Sequence, residues 1–559
     1  MAAYPAVKPF RNASLHFTGA SLKFLCNAHI VSACLYIGVQ PLNKAYNGRL
    51  GSLSCIDKGL FGRVNRGIER ETLRVDQNGQ LSQIAHPVSL GSALTHESIT
   101  TDYSEALLEF ITAPGNDRAA VLEQLDQIHS FVLHNLPGGE LLWNSSMPCQ
   151  LPADSNQIPI AQYGSSPIGQ LKHIYRKGLD LRYGRRMQTI AGIHYNFSLP
   201  DDFWPQWHKL HGNGQSAIDF QSEGYFGLIR NFRRHSWLLM LLFGASPAVG
   251  KDFLQDKPSP LPLQSIGQDS LCLPWATSLR MSGLGYQNNA QAGLNICFNH
   301  LPSYCDSLNH AINTPWPEWQ QKGVKVNGEY LQLNSNILQI ENEYYSPIRP
   351  KRTIRSGEKS VHALKERGVE YIEVRCLDID PWQPTGIGHQ QSIFLDLFLS
   401  YCQIKDSPLI AETECSRIGR NLELIVEQGR KPGLQLETEQ GSASVTSEAE
   451  QLFDQLQQLA ETLQQPAAIE AVEYYRKLAL ETPDQLPSAK VLAEIERHGS
   501  LQQATLQLSK QAAASFAVPD RQTLQHFMQL ADQSLAKQRH VEQQQTGDFD
   551  QFLADYLAQ

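Results

Sequence analysis

Carboxylates at strand spacing are the residues of this 559-residue chain best placed to do chemistry. In the run RGIERETLRV, Glu69 and Glu71 stand two apart, and Leu73 and Val75 close the run. Extended backbone sends successive side chains to opposite faces, so a strand here projects Glu69 and Glu71 one way and Arg70 and Thr72 the other. Like charges on one face repel unless cations neutralise them. Either Arg66, Arg70 or Arg74 does so in structural ion pairs, or a metal does. TTDYSEALLEFITAP adds Asp102, Glu105 and Glu109. Glu109 lies among Leu107, Leu108, Phe110 and Ile111, and a carboxylate in such a run needs an arginine, a proton or a metal. AGIHYNFSLP alternates, with His194, Asn196 and Ser198 on one face and Tyr195, Phe197 and Leu199 on the other. EYIEVRCLDIDP sets Glu373 and Arg375 opposite Ile372, Val374 and Cys376. That couple serves either as an ion pair or as holders of a metal and a transferring phosphoryl group. LNSNILQIENEYYSPIRPKRTIRSGE reads as an acidic, aromatic strand end, Glu341 to Tyr345, followed by a basic loop with Arg349, Lys351, Arg352 and Arg355. Beside a metal site such a loop suits polyphosphate or a substrate carboxylate.

Several short strands thus each deliver acidic groups to one face. Oxygen donors with a single histidine fit Mg²⁺ or Mn²⁺ better than zinc, and magnesium in such sites bridges nucleotide phosphates. No phosphate loop accompanies them. GASPAVGK, Gly244 to Lys251, has five residues between its glycines where the motif has four, and Asp252 where it needs Ser or Thr. GIGH, from Gly386 to His389, lacks the third glycine of a dinucleotide fingerprint.

The elements around these runs form three stretches. Residues 1–60 read as a poorly ordered or atypical N-terminal extension: the first 56 contain no Asp or Glu but carry Lys8, Arg11, Lys23, Lys44 and Arg49. They lack the apolar core and small-residue cleavage site of a signal peptide. Residues 61–434 mix short strands, helices and Gly/Pro loops and read as a catalytic α+β domain. Residues 435–559 read as a C-terminal helical region capping the body, with Leu452, Leu456, Leu459 and Leu463 at helical spacing and Pro466, Pro483, Pro487 and Pro519 as breaks.

Composition excludes several classes. A formal charge of −9 gives no electrostatic footprint for nucleic acid. The longest apolar run, Trp237 to Ala245, is half of a membrane span and reads as a buried helix, so no membrane partner is expected. Ten scattered cysteines without a CxxC pair or zinc spacing suit a reduced, cytoplasmic protein.

Seven runs together, RGIERETLRV, GSALTHESITTDYSEALLEFIT, AQYGSSPIGQLKHIYRKGL, QTIAGIHYNFSLP, LPWATSLRMSGLGYQN, NSNILQIENEYYSPIRPKR and EYIEVRCLDIDPWQPTG, resemble the bacterial glutamate–cysteine ligases in order, from about Arg66 to Gly433. The resemblance implies a glutamine-synthetase-like α+β fold: a curved, mostly antiparallel sheet forming a funnel, with flanking helices. It implies ATP-dependent joining of the L-glutamate γ-carboxylate to the L-cysteine amine through γ-glutamyl phosphate, the first step of glutathione biosynthesis. Carried over by motif, the metal ligands are Glu69, Glu71, Asp102, Glu109, His194 and Glu373, and Arg375 stands near the transferring phosphoryl group. The cysteine pocket maps onto Tyr175, Leu179, Gln188, Ile190, Arg280, Tyr286 and Tyr345. Asn196, Arg349, Lys351 and Arg352 are expected at phosphate or glutamate. Mg²⁺, or Mn²⁺, is the expected cofactor, and a monomer under feedback inhibition by glutathione the expected state. Cys376 and Tyr344 depart from the family pattern. A ligase with another amine acceptor, or with 2-aminobutyrate as well as cysteine, and a non-catalytic homologue are the competing readings. A bifunctional enzyme that also adds glycine is not expected, since the tail carries no motif for a second ATP site.

Overall fold

A computed structural model describes residues 44–255, 258–284, 294, 296–355, 357–545 and 547–559. Its centre is a seven-stranded sheet in which every pairing is antiparallel. The strands are β1 (Asn65–Val75), β2 (Ile99–Thr101), β3 (Leu107–Ile111), β4 (Leu141–Leu142), β5 (Ile193–Ser198), β6 (Ile348–Lys351) and β7 (Tyr371–Leu377). Their order is β6-β7-β5-β1-β3-β2, with β4 pairing the C-terminal end of β1.

The alternation read from the sequence sorts the two faces. Ile68, Tyr195, Phe197, Ile372 and Val374 are buried, and their face packs on a helical layer. Helix α1 (Arg118–Asn135) and helix α4 (His389–Ile404) cover it, and the long apolar helix α3 (Ala217–Phe243) packs beside α4. Three arginines of β1 go into that layer. Arg66 donates to Asp396 of α4 at 3.0 Å, and Arg74 donates to Glu140 at 2.8 Å. Arg70 has no carboxylate: it donates to Asn144 Oδ1 at 2.7 Å and to the Pro384 carbonyl at 3.1 Å, beside His129. Burial lowers the Arg70 pKa to about 9. The arginines interleaved with Glu69 and Glu71 are therefore spent on the opposite face, and the ion-pair reading of those glutamates does not hold.

Asp396 is the node of this layer, accepting from Arg66, from Arg118 at 2.6 Å and from the Tyr195 hydroxyl at 2.7 Å. Removing one partner of a buried pair leaves the other charge uncompensated, at a cost of about 3–5 kcal/mol. Asp396→Ala is expected to lower the urea midpoint accordingly, with Asp396→Asn in between.

Beyond the sheet, helices α5 (Val445–Thr462), α6 (Pro466–Leu480), α7 (Pro487–His498), α8 (Leu501–Ser515), α9 (Arg521–Gln544) and α10 (Phe549–Ala558) complete the chain. Phe394 of α4 meets Tyr475 of α6 at 5.0 Å and Phe453 of α5 at 6.3 Å between ring centroids. Phe527 of α9 stacks on Phe131 of α1 at 5.2 Å. Helices α5 to α9 thus share the core of the sheet layer, whereas α10 packs outside it.

Several expectations are corrected. The stretch from 435 opens with a hairpin, Gln435–Thr438 paired with Gly441–Ser444, before the helices begin. Glu341–Glu343 form a single tight helical turn, not a strand end, and Arg349 and Lys351 lie on strand β6, not in a loop. Leu53, Ile56 and Leu60 are buried in the main core, so packed structure begins upstream of residue 61. The rest of the acid-free start, residues 1–43, lies outside the described residues.

Candidate active site

The other face of the sheet gathers the polar residues. Register places Glu71 opposite Glu109, Glu69 opposite His194, Asn196 opposite Glu373, and Glu373 opposite Arg349. Directly paired residues share a face, so five strands deliver these groups to one surface. Asp102 follows immediately on β2, whose Thr100 pairs with Glu109. His194 is the hub: Nδ1 lies 3.0 Å from Glu69 Oε2 and 3.8 Å from Glu373 Oε1, and Nε2 lies 3.5 Å from Glu71 Oε1. Asn196 donates to Glu69 Oε1 at 2.8 Å, and Arg375 donates to Glu373 Oε1 at 3.0 Å. The Lys351 ammonium is 3.4 Å from Glu373 Oε2.

The charges on this face are unevenly matched. Burial pushes the Glu109 carboxyl well above the usual carboxylate range, and the negative charges of Glu69, Asp102 and Glu71 push it further. Burial likewise raises Glu71. Glu373 goes the other way. Burial opposes its ionisation, but Arg375, Lys351, His194 and Arg349 outweigh that and hold it well below the usual range. For Glu69, burial and the charge of Glu373 oppose ionisation, but the His194 hydrogen bond and the charges of His194 and Lys351 together outweigh them, and its pKa is lowered. Burial opposes the charge on Arg375, but Glu373, Glu71 and Glu69 raise its pKa and keep it cationic.

These residues fit a metal. One ligand atom from each of Glu69, Glu109 and His194 lies within 4.8 Å of the other two. Among the described residues Asn196 Oδ1 is a buried oxygen without a hydrogen-bond partner, and Glu373 Oε2 meets only the Lys351 ammonium at 3.4 Å. Carboxylates repelling one another around unsatisfied oxygens are what a hard divalent cation requires.

Next to this face lies a cavity of about 90 Å³. Glu71, Asp102, His194 and Arg375 form its sheet side. Its other walls bring together Tyr175 and Leu179 of helix α2 (Pro167–Tyr183), Gln188, Ile190, Arg280 and Tyr345. Tyr286 lies outside the described residues. Among the described residues Gln188 Nε2 is buried without a hydrogen-bond partner. Arg280 donates to the Arg375 carbonyl at 2.8 Å and lies 3.8 Å from Asp378. Asp378 is itself fixed by Ala245 N–H and by the hydroxyls of Ser246 and Ser278.

Arg349 reaches the cavity, but Arg352 does not. Arg352 follows the end of β6 and donates to the Arg367 carbonyl at 2.9 Å beside Glu370. Arg352, expected at phosphate or glutamate, thus lies away from the cavity. Sequence reasoning missed Tyr103, Arg176, Tyr183 and Glu343, which also line the cavity. It also missed Gly192, whose N–H donates to Glu71 Oε2 at 2.7 Å. A β-carbon at Gly192 would fall on the Arg280 guanidinium, so the glycine is what lets Arg280 lie against the sheet. The signal was present as a glycine directly before an alternating strand, which marks close approach of another group. Gly192→Ala is expected to displace Arg280 and to weaken about tenfold the binding of a substrate held at Arg280, with a smaller effect on one held at the carboxylate face. Steady-state kinetics with each substrate varied in turn checks this.

Residues 54–425 match the glutamate-cysteine ligase family model. The chain is 52% identical over 507 residues to the glutamate–cysteine ligase of Pseudomonas putida strain W619, covering 89% of this chain and 95% of that one. It is 50% identical over 514 residues to that of Azotobacter vinelandii, covering 90% and 96%. A crystal structure of the Francisella tularensis glutamate–cysteine ligase in complex with AMP superposes with a TM-score of 0.83 at 35% identity, covering 89% of this chain and 98% of that one. A bifunctional glutathione synthetase from Pasteurella multocida matches at TM-score 0.66 and 27% identity, covering 85% of this chain and 55% of that one. The chain belongs to the glutamate–cysteine ligase family.

Proposed function

We propose that this protein joins the γ-carboxylate of L-glutamate to the amine of L-cysteine at the expense of ATP, as the first step of glutathione biosynthesis. The observation that carries the reading is continuity: the carboxylate face with Arg375 runs without a break into the cavity walled by Tyr175, Leu179, Gln188, Ile190, Arg280 and Tyr345. The AMP held by the Francisella relative supports a nucleotide site in this fold.

Glu69, Glu71, Asp102, Glu109, His194 and Glu373 are the proposed ligands of magnesium, with manganese as a substitute. Bound there, such ions neutralise phosphate oxygens and align the phosphoryl group for transfer. A carboxylate is a poor acyl donor because its leaving group is oxide, so the γ-phosphoryl of ATP goes first to the glutamate γ-carboxylate, releasing ADP. The cysteine amine then attacks the acyl carbon and phosphate leaves. Arg375 stays cationic, and its guanidinium faces the phosphoryl oxygens as their charge spreads. Lys351 and Arg349 add positive charge on the same side and Asn196 holds Glu69 in place. At the other end Arg280 takes the cysteine carboxylate, and the free Gln188 amide donates to the same amino acid. Tyr175, Leu179, Ile190 and Tyr345 enclose a small side chain.

Among the described residues no helix is long and apolar enough to cross a membrane. A cytoplasmic monomer inhibited by glutathione, which combines both substrate moieties, completes the proposal. ADP release with glutamate and each candidate amine, with and without magnesium, tests it. Cysteine and 2-aminobutyrate are expected to support turnover only with magnesium, because a thiol adds little specific hydrogen bonding. Equal turnover with glycine or ammonia overturns the acceptor assignment, and no ADP with any amine favours a non-catalytic homologue.

A further inference from the structure

Outside the main core, five buried residues form a second apolar cluster: Leu171 and Ile174 of α2, Leu333, and Phe549 and Leu553 of α10. No residue of this cluster belongs to the main core. Tyr175, which walls the cavity on one side, packs against the same cluster on the other. We propose that the terminal helix α10 is a positioning element for the amino-acid half of the active site, acting through Tyr175 and the turn at Glu341–Glu343. The inference rests on the reading of that cavity as the cysteine pocket.

A ten-residue helix is not stable alone in water, so α10 is held by what it docks on. Asp550 accepts from Lys325 Nζ at 2.7 and 2.9 Å and from the Tyr330 hydroxyl at 2.8 Å. Phe549 meets the Tyr330 ring edge-on at 5.2 Å. At its far end the Leu557 carbonyl accepts from Lys359 at 3.0 Å. Toward the site, the Leu333 N–H donates to Gln339 Oε1 at 2.9 Å, and Gln339 Nε2 donates to the Tyr175 carbonyl at 3.2 Å. The Gln339 N–H donates to Glu343 Oε2 at 2.7 Å. Glu343 lines the cavity and is locked to Arg182 of α2 by a buried ion pair of 2.9 Å. α10, the α2 wall and the turn are thus one packed unit. Glu69, Glu109, Glu373 and Arg375 sit on sheet strands anchored in the main core. Loosening α10 therefore acts on the amino-acid end and spares the nucleotide end.

The test uses the full-length enzyme with Phe549→Ala, Asp550→Lys, Lys325→Asp, the double exchange Lys325→Asp/Asp550→Lys, and Tyr175→Ala as reference. Phe549→Ala is expected to raise the KM of cysteine about fivefold and to change the KM of ATP by less than about twofold. Asp550→Lys is expected to raise the cysteine KM about threefold, since an exposed pair contributes modestly, and the double exchange to restore it. Should Phe549→Ala not fold, the exposed charge exchange decides. A cysteine KM unchanged in the α10 variants but raised in Tyr175→Ala overturns this inference and leaves the pocket reading intact. An unchanged cysteine KM in Tyr175→Ala overturns the pocket reading and the inference with it. Equal rises in the KM of ATP and cysteine, or a double exchange that restores nothing, show general loosening and overturn the positioning role.

Discussion

Glu109→Gln is expected to lower magnesium-dependent turnover at least about a hundredfold while leaving the metal-free protein as stable as the parent or more so. The two halves of that expectation have one cause. Glu109 faces Glu71 across the β1–β3 ladder, and burial and the charges of Glu69, Asp102 and Glu71 all disfavour its ionisation. A neutral amide of the same shape relieves that repulsion but withdraws a proposed anionic ligand of the metal. The pH dependence follows with a definite sign. The folded-state pKa of Glu109 lies above the ordinary 4.5, so the native state holds its proton more tightly than the unfolded chain. Metal-free stability contributed by this group is full below 4.5 and is lost as pH rises through the raised value. Glu109→Gln removes that slope. Thermal melts across pH, with and without magnesium, read both effects: magnesium raises the melting temperature of the parent by linkage, and the variant loses most of that shift. A variant that keeps the magnesium shift and the turnover contradicts a ligand role for Glu109.

Arg375→Ala is the second large effect, expected in kcat. Removing one preorganised donor to developing charge costs about 10²–10³-fold. Arg375 is placed for such a role because Glu373, Glu71 and Glu69 keep it charged and Glu373 fixes it at 3.0 Å. It lies on the sheet side of the cavity and is not one of the walls proposed to enclose the cysteine side chain, so the KM of cysteine is expected to move only a few-fold. Arg375→Lys should recover part of the rate, since an ammonium supplies charge without the planar fork. A change confined to the KM of cysteine reassigns Arg375 to substrate binding.

The carboxylate face was legible in the sequence because strand periodicity is two, and Glu69/Glu71, His194/Asn196 and Glu373/Arg375 each alternate with apolar or arginine neighbours. Which residue faces which across the sheet was not, because register between β1, β5 and β7 depends on segments more than 100 residues apart. Arg66 and Arg74 show the same limit: their partners Asp396 and Glu140 lie far along the chain. The cavity walls have no local pattern at all, since Tyr175 comes from a helix, Gln188 and Arg280 from short helical turns and Tyr345 from an irregular connection. They were reached only through family resemblance. Strand β6 was read as a basic loop from its Arg and Lys residues, and Pro350 sits inside it. It is an edge strand, where a missing N–H costs no ladder bond. Reading it as a loop also grouped Arg352, which follows the end of the strand, with Lys351. The hairpin Gln435–Thr438/Gly441–Ser444 escaped notice because only Leu436 is buried in it, leaving no apolar periodicity to see.

The central claim is that the carboxylate face and the adjoining cavity act on one molecule of glutamate, activating its γ-carboxylate with ATP before the amine arrives. Isotope transfer tests this most directly. With L-glutamate labelled with ¹⁸O in the γ-carboxylate, and with ATP, cysteine and magnesium, the account predicts one labelled oxygen in each phosphate released. Phosphate free of label would mean that water, not glutamate, takes the phosphoryl group, and would contradict the account.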